Sequence, residues 1–264
     1  MINPELNQQI IIAGPCAAES RSQVMGCARE LKEMQIDGIR TSLWKPRTSP
    51  GFEGVGVVGI PWLVEVMEMG LIAATEVLLP KHVTAIVEIV NKTNVEAQLL
   101  LWLGSRNQNH FIQRQIAKRL LHEGPNNALL MIKNQPWEEE KHWLGILDHV
   151  LQTGFPEKRI LLCHRGFAPG DKNNPHNLRN LPNFDMAMKV REKTQRPMIL
   201  DPSHIGGSVE NVLQVIQDSL AFSFDGLMIE VHPDPTMAAT DAKQQLNVNQ
   251  LKEVLKLIKR KEVV

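Results

Sequence analysis

Short apolar runs alternate along the chain with longer segments in which apolar residues recur at helical spacing. Eight runs, at residues 9–13, 38–44, 71–77, 97–104, 128–134, 159–165, 197–203 and 226–232, are too short for helices and are bounded by glycine, proline or charge. Near-continuous apolar runs of that length read as strands buried on both faces, the pattern of a parallel sheet. Between them, VTAIVEIV at 83–90, the segment 113–121 and LKEVLKLI at 251–258 collect apolar residues on one helical face. Ser208, with Glu210 two residues on, precedes a further apolar run in the manner of a helix N-terminus. Eight strands alternating with helices over 264 residues predict a (β/α)8 TIM barrel of the α/β class, one domain spanning 1–264. A doubly wound open sheet is the alternative.

Two connections are too long for simple turns. Residues 45–59 are rich in glycine and contain Pro46 and Pro50, and residues 166–183 read GFAPGDKNNPHNLRNLPN. Long connections without structure of their own tend to be functional, and both follow predicted strands, on the barrel face where active sites sit. The polar residues at the strand ends therefore converge on one mouth. They are Cys16 after Gly14-Pro15; Arg40 and then Lys45, Arg47 and Thr48; Glu76; Arg106; Lys133-Asn134; His164-Arg165; Asp201 to His204; and Glu230 to His232.

These ends sort into two chemical groups. Arg40, Lys45, Arg47, Arg106, Lys133 and Arg165 are cationic, and gathering them costs several kcal/mol unless anions offset the charge. A surface carboxylate explains any one of them taken alone. Six at one rim point to substrates with more than one phosphate or carboxylate, which arginine forks and lysine ammonium groups bind. The second group is Cys16, His204 and Glu230, with Asp241 in the connection after the last strand. A thiolate, an imidazole and two carboxylates suit one divalent ion of the Mn2+, Fe2+, Co2+ or Zn2+ kind better than Mg2+ or Ca2+. His164, His176 and His232 are rival ligands at this level, and Cys27 and Cys163 read as small buried hydrophobes.

Composition narrows the partners. Lysine plus arginine equals aspartate plus glutamate at 29 each, which speaks against a globally basic nucleic-acid binder. No apolar run approaches the roughly 18 residues of a membrane span, and MINPELNQQI has no secretory pattern. Three cysteines are a sparse, odd set that suits a reducing cytoplasm. The expectation is a cytoplasmic protein acting on small anions, with no nucleic-acid or membrane partner.

Taken in order, Gly14-Pro15-Cys16, the KPRTSP stretch at 45–50, Gly104-Ser105-Arg106-Asn107, Lys133-Asn134, Arg165-Gly166, Asp201-Pro202-Ser203-His204, and Asp225-Gly226 followed by Glu230-Val231-His232 resemble the type I 3-deoxy-D-arabino-heptulosonate 7-phosphate (DAHP) synthases. That family shares its barrel with the 3-deoxy-D-manno-octulosonate 8-phosphate (KDO8P) synthases. The resemblance runs from about residue 11 to 246, and KPRTSP and DPSH are its most specific parts.

The resemblance implies a transferase that condenses phosphoenolpyruvate with erythrose 4-phosphate and releases phosphate, opening the shikimate pathway to chorismate and the aromatic amino acids. It implies that Cys16, His204, Glu230 and Asp241 bind the metal. Arg40, Lys45, Arg106, Lys133 and Arg165 would hold phosphoenolpyruvate, and Arg47 and Thr48 the phosphate of the aldose. Lys45, Cys16 and His204 form the expected catalytic set, with Lys45 the first candidate for proton transfer and a water on the metal its rival. KDO8P synthases carry a KANRS-like segment where this chain has KPRTSP, so erythrose 4-phosphate is favoured over arabinose 5-phosphate. A homo-oligomer, dimer or tetramer, is expected; some relatives carry a fused chorismate mutase, and such a domain or partner is left open here. With the first strand at residue 9 there is no room for the N-terminal ferredoxin-like regulatory domain of others, so no regulatory domain and no feedback inhibition by aromatic amino acids are expected. Two other classes compete: a metal-dependent barrel hydrolase, and a barrel that only binds.

Overall fold

A computed structural model describes residues 9–46 and 50–261. In chain order the elements are β1 (Ile10–Gly14), α1 (Arg21–Glu33), β2 (Gly38–Arg40), α2 (Ile60–Glu68), β3 (Ile72–Glu76), α3 (Pro80–Val90), β4 (Leu99–Leu103), α4 (His110–Glu123), β5 (Leu129–Lys133), α5 (Glu140–Leu151), β6 (Ile160–His164), α6 (Phe184–Thr194), β7 (Met198–Leu200), α7 (Pro202–Gly206), α8 (Val209–Ser219), β8 (Gly226–Glu230) and α9 (Val248–Lys261). The strands pair in sequence order, all parallel, and β1 closes on β8 from Ile10 opposite Gly226 to Gly14 opposite Glu230. This is the expected (β/α)8 barrel. No helix among the described residues is long and apolar enough to cross a membrane.

The period-2 alternation of the strands separates two cores. Ile10, Ile12, Ile72, Ala74, Leu100, Trp102, Leu129, Met131, Leu161, Cys163, Ile199 and Met228 fill the barrel interior. Their alternate neighbours, such as Ile39, Ala73, Leu101, Ile132, Leu162, Leu200 and Ile229, pack outward against the helices. Helix starts are set by side-chain caps, with Ser20, Asn109, Asn183 and Ser208 accepting from backbone N–H groups of α1, α4, α6 and α8.

Two strands are shorter than the apolar runs suggested. The run 197–203 is a strand only to Leu200, because Asp201 caps the His204 N–H and Pro202 occupies the first position of α7. The run 38–44 leaves the sheet after Arg40, and the Leu43 N–H donates to Thr75 Oγ1 at 3.1 Å instead of extending the ladder. The 166–183 connection is pinched at its base, where Phe167 and Leu181 exchange backbone hydrogen bonds of 2.9 and 2.7 Å. After β8 the chain loops out and returns, Leu246 donating to the Glu230 carbonyl at 2.9 Å. That return lays residues 240–245 over the barrel mouth.

Candidate active site

Six of the eight inward-facing rows of the barrel end in a polar side chain, the β1 and β4 rows ending instead at Gly14 and Gly104. Continuing the interior rows by two residues leads from Gly38 to Arg40, Ala74 to Glu76, Met131 to Lys133, Cys163 to Arg165, Ile199 to Asp201 and Met228 to Glu230. The same parity puts His164 on the outer side, where its ring packs against Trp143, Phe167 and Phe184. Arg40, Lys45, Glu76, Trp102, Arg106, Lys133, Arg165, Arg179, His204 and Asp241 line one cavity of about 260 Å³ at the mouth. Five of the six expected cations therefore share one pocket. The sixth, Arg47, and Thr48 lie outside the described residues.

On one side of this pocket the donor-rich group assembles. Cys16 Sγ stands 3.0 Å from Asp241 Oδ2, and one donor atom each of Cys16, Glu230 and Asp241 lies within 4.8 Å of the others. His204 enters from α7 with Nε2 3.7 Å from Glu230 Oε1. Its Nδ1 is taken by Asp201, at 2.9 Å from Oδ2, and burial keeps its pKa below the usual histidine value. A neutral ring donating from Nδ1 presents a bare Nε2 lone pair, the orientation that carboxylate-backed metal ligands adopt. Asp241 reaches the cluster from a left-handed backbone conformation, φ 51°, which aspartate tolerates better than most residues. His164, His176 and His232 do not join the group; His232 instead accepts from the Asp234 N–H at 3.0 Å.

Cys16, Glu230 and Asp241 are the three donors that cluster, while His204 stands beside them without a donor atom within 4.8 Å of all three. Glu230 is fully buried, yet its Oε1 makes no hydrogen bond. Among the described residues its ion-pair contacts are Arg40 Nη2 at 3.2 Å and the His204 ring. A buried carboxylate oxygen without a hydrogen bond is costly, and an ion among Glu230, Cys16 and Asp241 would satisfy it, with His204 the adjoining imidazole. Gln244 holds the other oxygen, its Nε2 donating to Oε2 at 2.5 Å.

The cations are spoken for more than the strand ends suggested. Lys133 Nζ lies 2.5 Å from Asp201 Oδ2, both buried. Burial opposes the Asp201 charge, but His204 and Lys133 outweigh it and hold its pKa well below the usual carboxylate range. Arg40 donates through Nη2 to the Cys16 carbonyl at 3.2 Å, while its Nε and Nη1 are buried without a partner. The Arg40 guanidinium and the Lys133 ammonium both stand 5.2 Å from the Trp102 ring centre, a cation–π seat inside the pocket. Arg106 donates to the Pro46 carbonyl at 2.9 Å. Burial pushes Arg165 down to about 10, a cost that an incoming anion would relieve.

Lys45 joins the two halves. Its Nζ is 2.9 Å from Cys16 Sγ and 3.9 Å from Asp241 Oδ2. Burial works against its charge, but Cys16, Glu230 and Glu76 outweigh that and raise its pKa. Burial pushes the Cys16 thiol up as well, against the pull of Lys45.

Four residues at or beside the site were given no role from sequence. Glu76 is buried among Lys45, Lys133, Arg40 and Arg106, and burial outweighs those cations and raises its pKa. Its strand-end position was visible, but nothing there distinguished it from an ordinary ion-pair partner. Arg179, Asn180 and Gln244 come from irregular connections with no periodicity to flag them. Arg179 donates through Nη1 to Asp241 Oδ1 at 3.0 Å and Gln244 Oε1 at 2.6 Å.

Known proteins resemble this chain along nearly its whole length. A model of the DAHP synthetase I family matches residues 4–264. The phospho-2-dehydro-3-deoxyheptonate aldolase of Thermotoga maritima is 29% identical over 252 residues, covering 95% of this chain and 69% of that protein. Its crystal structure superposes with a TM-score of 0.83 at 28% identity, over 96% of this chain and 69% of that one. A 2-dehydro-3-deoxyphosphooctonate aldolase of Geobacter sulfurreducens is 26% identical over 275 residues, covering 95% of this chain and 91% of that protein. With the family match spanning nearly every residue, the chain belongs to the DAHP synthetase I family.

Proposed function

We propose that the protein is a DAHP synthase, which joins phosphoenolpyruvate to erythrose 4-phosphate and releases inorganic phosphate. The observation that carries this reading is the shared cavity of about 260 Å³, lined by six cations together with His204 and Asp241. Phosphoenolpyruvate brings a carboxylate and a phosphate. Arg40, Lys45, Arg106, Lys133 and Arg165 offer the matching charge, and Trp102 a flat apolar wall beneath it. Cys16, His204, Glu230 and Asp241 would hold one divalent ion of the Mn2+, Fe2+, Co2+ or Zn2+ kind. When bound, that ion supplies Lewis-acid polarisation of the aldose carbonyl.

The chain's own residues then have three tasks. The cationic wall fixes phosphoenolpyruvate with C3 toward the metal side, so that a C–C bond forms to the aldehyde carbon. Holding two reactants in line supplies about 7–11 kcal/mol of barrier reduction. Positive charge develops at C2, a water adds there, and the C–O bond to phosphate breaks. Lys45, whose Nζ lies between the Cys16 sulfur and the cation group, delivers a proton to the new hydroxyl oxygen. The KPRTSP segment favours erythrose 4-phosphate, the phosphate falling to Arg47 and Thr48. The exposed Val57 and Val58, on the connection after β2, and Phe111, in the first turn of α4, are apolar area that a second copy would cover in a homo-oligomer. Cys16, Cys27 and Cys163 are buried and unpaired, which suits a reducing cytoplasm.

The aldose is tested by comparing kcat/KM for erythrose 4-phosphate and arabinose 5-phosphate at fixed phosphoenolpyruvate. A preference for the four-carbon sugar of at least tenfold supports the reading. A preference for the five-carbon sugar makes the protein a KDO8P synthase.

A further inference from the structure

The connection between β6 and α6 carries one side chain that touches both halves of the cavity. Asn180 Oδ1 accepts from Arg165 Nη1 at 2.9 Å, and its Nδ2 donates to the backbone carbonyl of His204 at 2.5 Å. The first bond lies in the cationic wall and the second behind the imidazole of the donor group. Asn180 is itself buried.

Its backbone is fixed independently of that side chain. The Asn180 N–H donates to the Ile205 carbonyl at 3.1 Å, and the adjacent Leu181 exchanges hydrogen bonds with Phe167. Gly166, φ 77°, lets the two segments meet: a Cβ there would stand 2.8 Å from Asn180 Cβ. Closing the loop therefore does not need the Asn180 amide. Both of its hydrogen bonds are directed out of the loop, to a substrate-facing cation and to the residue that presents Nε2 to Glu230. On the far side, Asn134 Oδ1 accepts the Arg165 N–H at 2.7 Å, so the amide of Asn180 fixes the tip of a residue whose base is already held.

We infer that Asn180 is a positioning residue that sets Arg165 for the anionic substrate and His204 for the metal at once, an inference that rests on the function proposed above. It touches neither ligand. A hydrogen bond to a charged group that fixes its direction, and one that steadies a metal ligand, each alter affinity about tenfold when removed.

The test uses two probes on the full chain, phosphoenolpyruvate alone and Co2+ alone, each titrated calorimetrically into metal-free protein. Asn180→Ala is expected to weaken both by about tenfold or more. In an Arg165→Met background the same substitution is expected to leave phosphoenolpyruvate affinity unchanged while still weakening Co2+, because the first effect runs through Arg165 and the second does not. Circular dichroism checks the fold, and Asn180→Ser serves if the alanine variant fails to fold. A folded variant that binds both probes as the wild type does overturns the inference. So does an equal loss of phosphoenolpyruvate affinity in the Arg165→Met background, or the failure of both variants to fold, which makes Asn180 structural. A wild type that binds neither probe removes the functional reading and this inference with it.

Discussion

The Cys16 sulfur and the Lys45 ammonium nitrogen stand 2.9 Å apart, although one follows β1 and the other follows β2. The pair separates two roles that substitutions can tell apart. Cys16→Ser replaces a soft donor with a poor one, so Co2+ affinity is expected to fall at least a hundredfold and activity with it. Lys45→Met leaves all four donor side chains in place. It is expected to lower kcat by about 10²–10⁴ while Co2+ affinity moves far less. Titration calorimetry beside steady-state assays reads both, and equal losses of metal affinity in the two variants would contradict the division.

Glu76 owes its place to a missing side chain. A Cβ on Gly104 would stand 1.9 Å from Glu76 Oε1, so Gly104→Ala must drive that carboxylate out of its position among Lys45, Lys133, Arg40 and Arg106. Displacements near 1 Å cost about a hundredfold in catalysis, and overpacking costs about 1–3 kcal/mol in stability. The variant is expected to fold with a lowered Tm and to lose about a hundredfold in kcat/KM for phosphoenolpyruvate. Unchanged kinetics would show that the Glu76 position is immaterial.

Gln244 contributes through Glu230. Its Nε2 is the donor to Glu230 Oε2, and the site is buried from water. Gln244→Leu keeps the approximate volume and removes the donor. Metal affinity is expected to drop about 10–100-fold, with the KM for phosphoenolpyruvate little changed, because the cation that loses an acceptor, Arg179, is not among the five set against phosphoenolpyruvate and keeps its ion pair with Asp241. Chelator competition measures the first and initial rates at saturating metal the second.

His164 makes the fold acid-sensitive. Burial pushes its pKa down to about 3 from 6.5, and its Nε2 accepts the Asn183 N–H at 3.1 Å. The unfolded chain takes up the proton first, so the stability from the neutral ring is complete above pH 6.5 and is lost as pH falls toward 3. The slope for one proton is about 1.4 kcal/mol per pH unit. Denaturant unfolding from pH 7 to 4 is expected to show wild type losing stability faster than His164→Gln by about that slope. Parallel curves would show that His164 is protonated in the fold.

The sequence made the barrel and most of its mouth legible because both depend on regular spacing. Eight short apolar runs could be counted, and position at the strand ends collected Arg40, Lys133, Arg165 and Glu230 at the mouth. Strand ends alone left His164 a rival ligand; its parity, one residue before Arg165, turns it to the helices. Spacing failed where the backbone turns irregular. The strand expected over 197–203 ends at Leu200, because Asp201 caps and Pro202 starts a helical turn. Helices α1 and α5 contain Gly26 and Gly145, and such breaks blur the helical period on which detection rests. Arg179, Asn180 and Gln244 act from connections whose paths are set by tertiary contacts, above all the Phe167–Leu181 pinch and the return of Leu246 to Glu230. No local pattern announces those contacts.

The central claim is that an anion-holding wall and a metal-holding group act on two substrates in one pocket. Phosphate release from phosphoenolpyruvate, followed with and without erythrose 4-phosphate and with and without chelator, tests it most directly. Release is predicted only when the aldose is present, to stop on chelation, and to return when Mn2+ or Co2+ is added back. Release without any aldose, or at full rate in excess chelator, would contradict it.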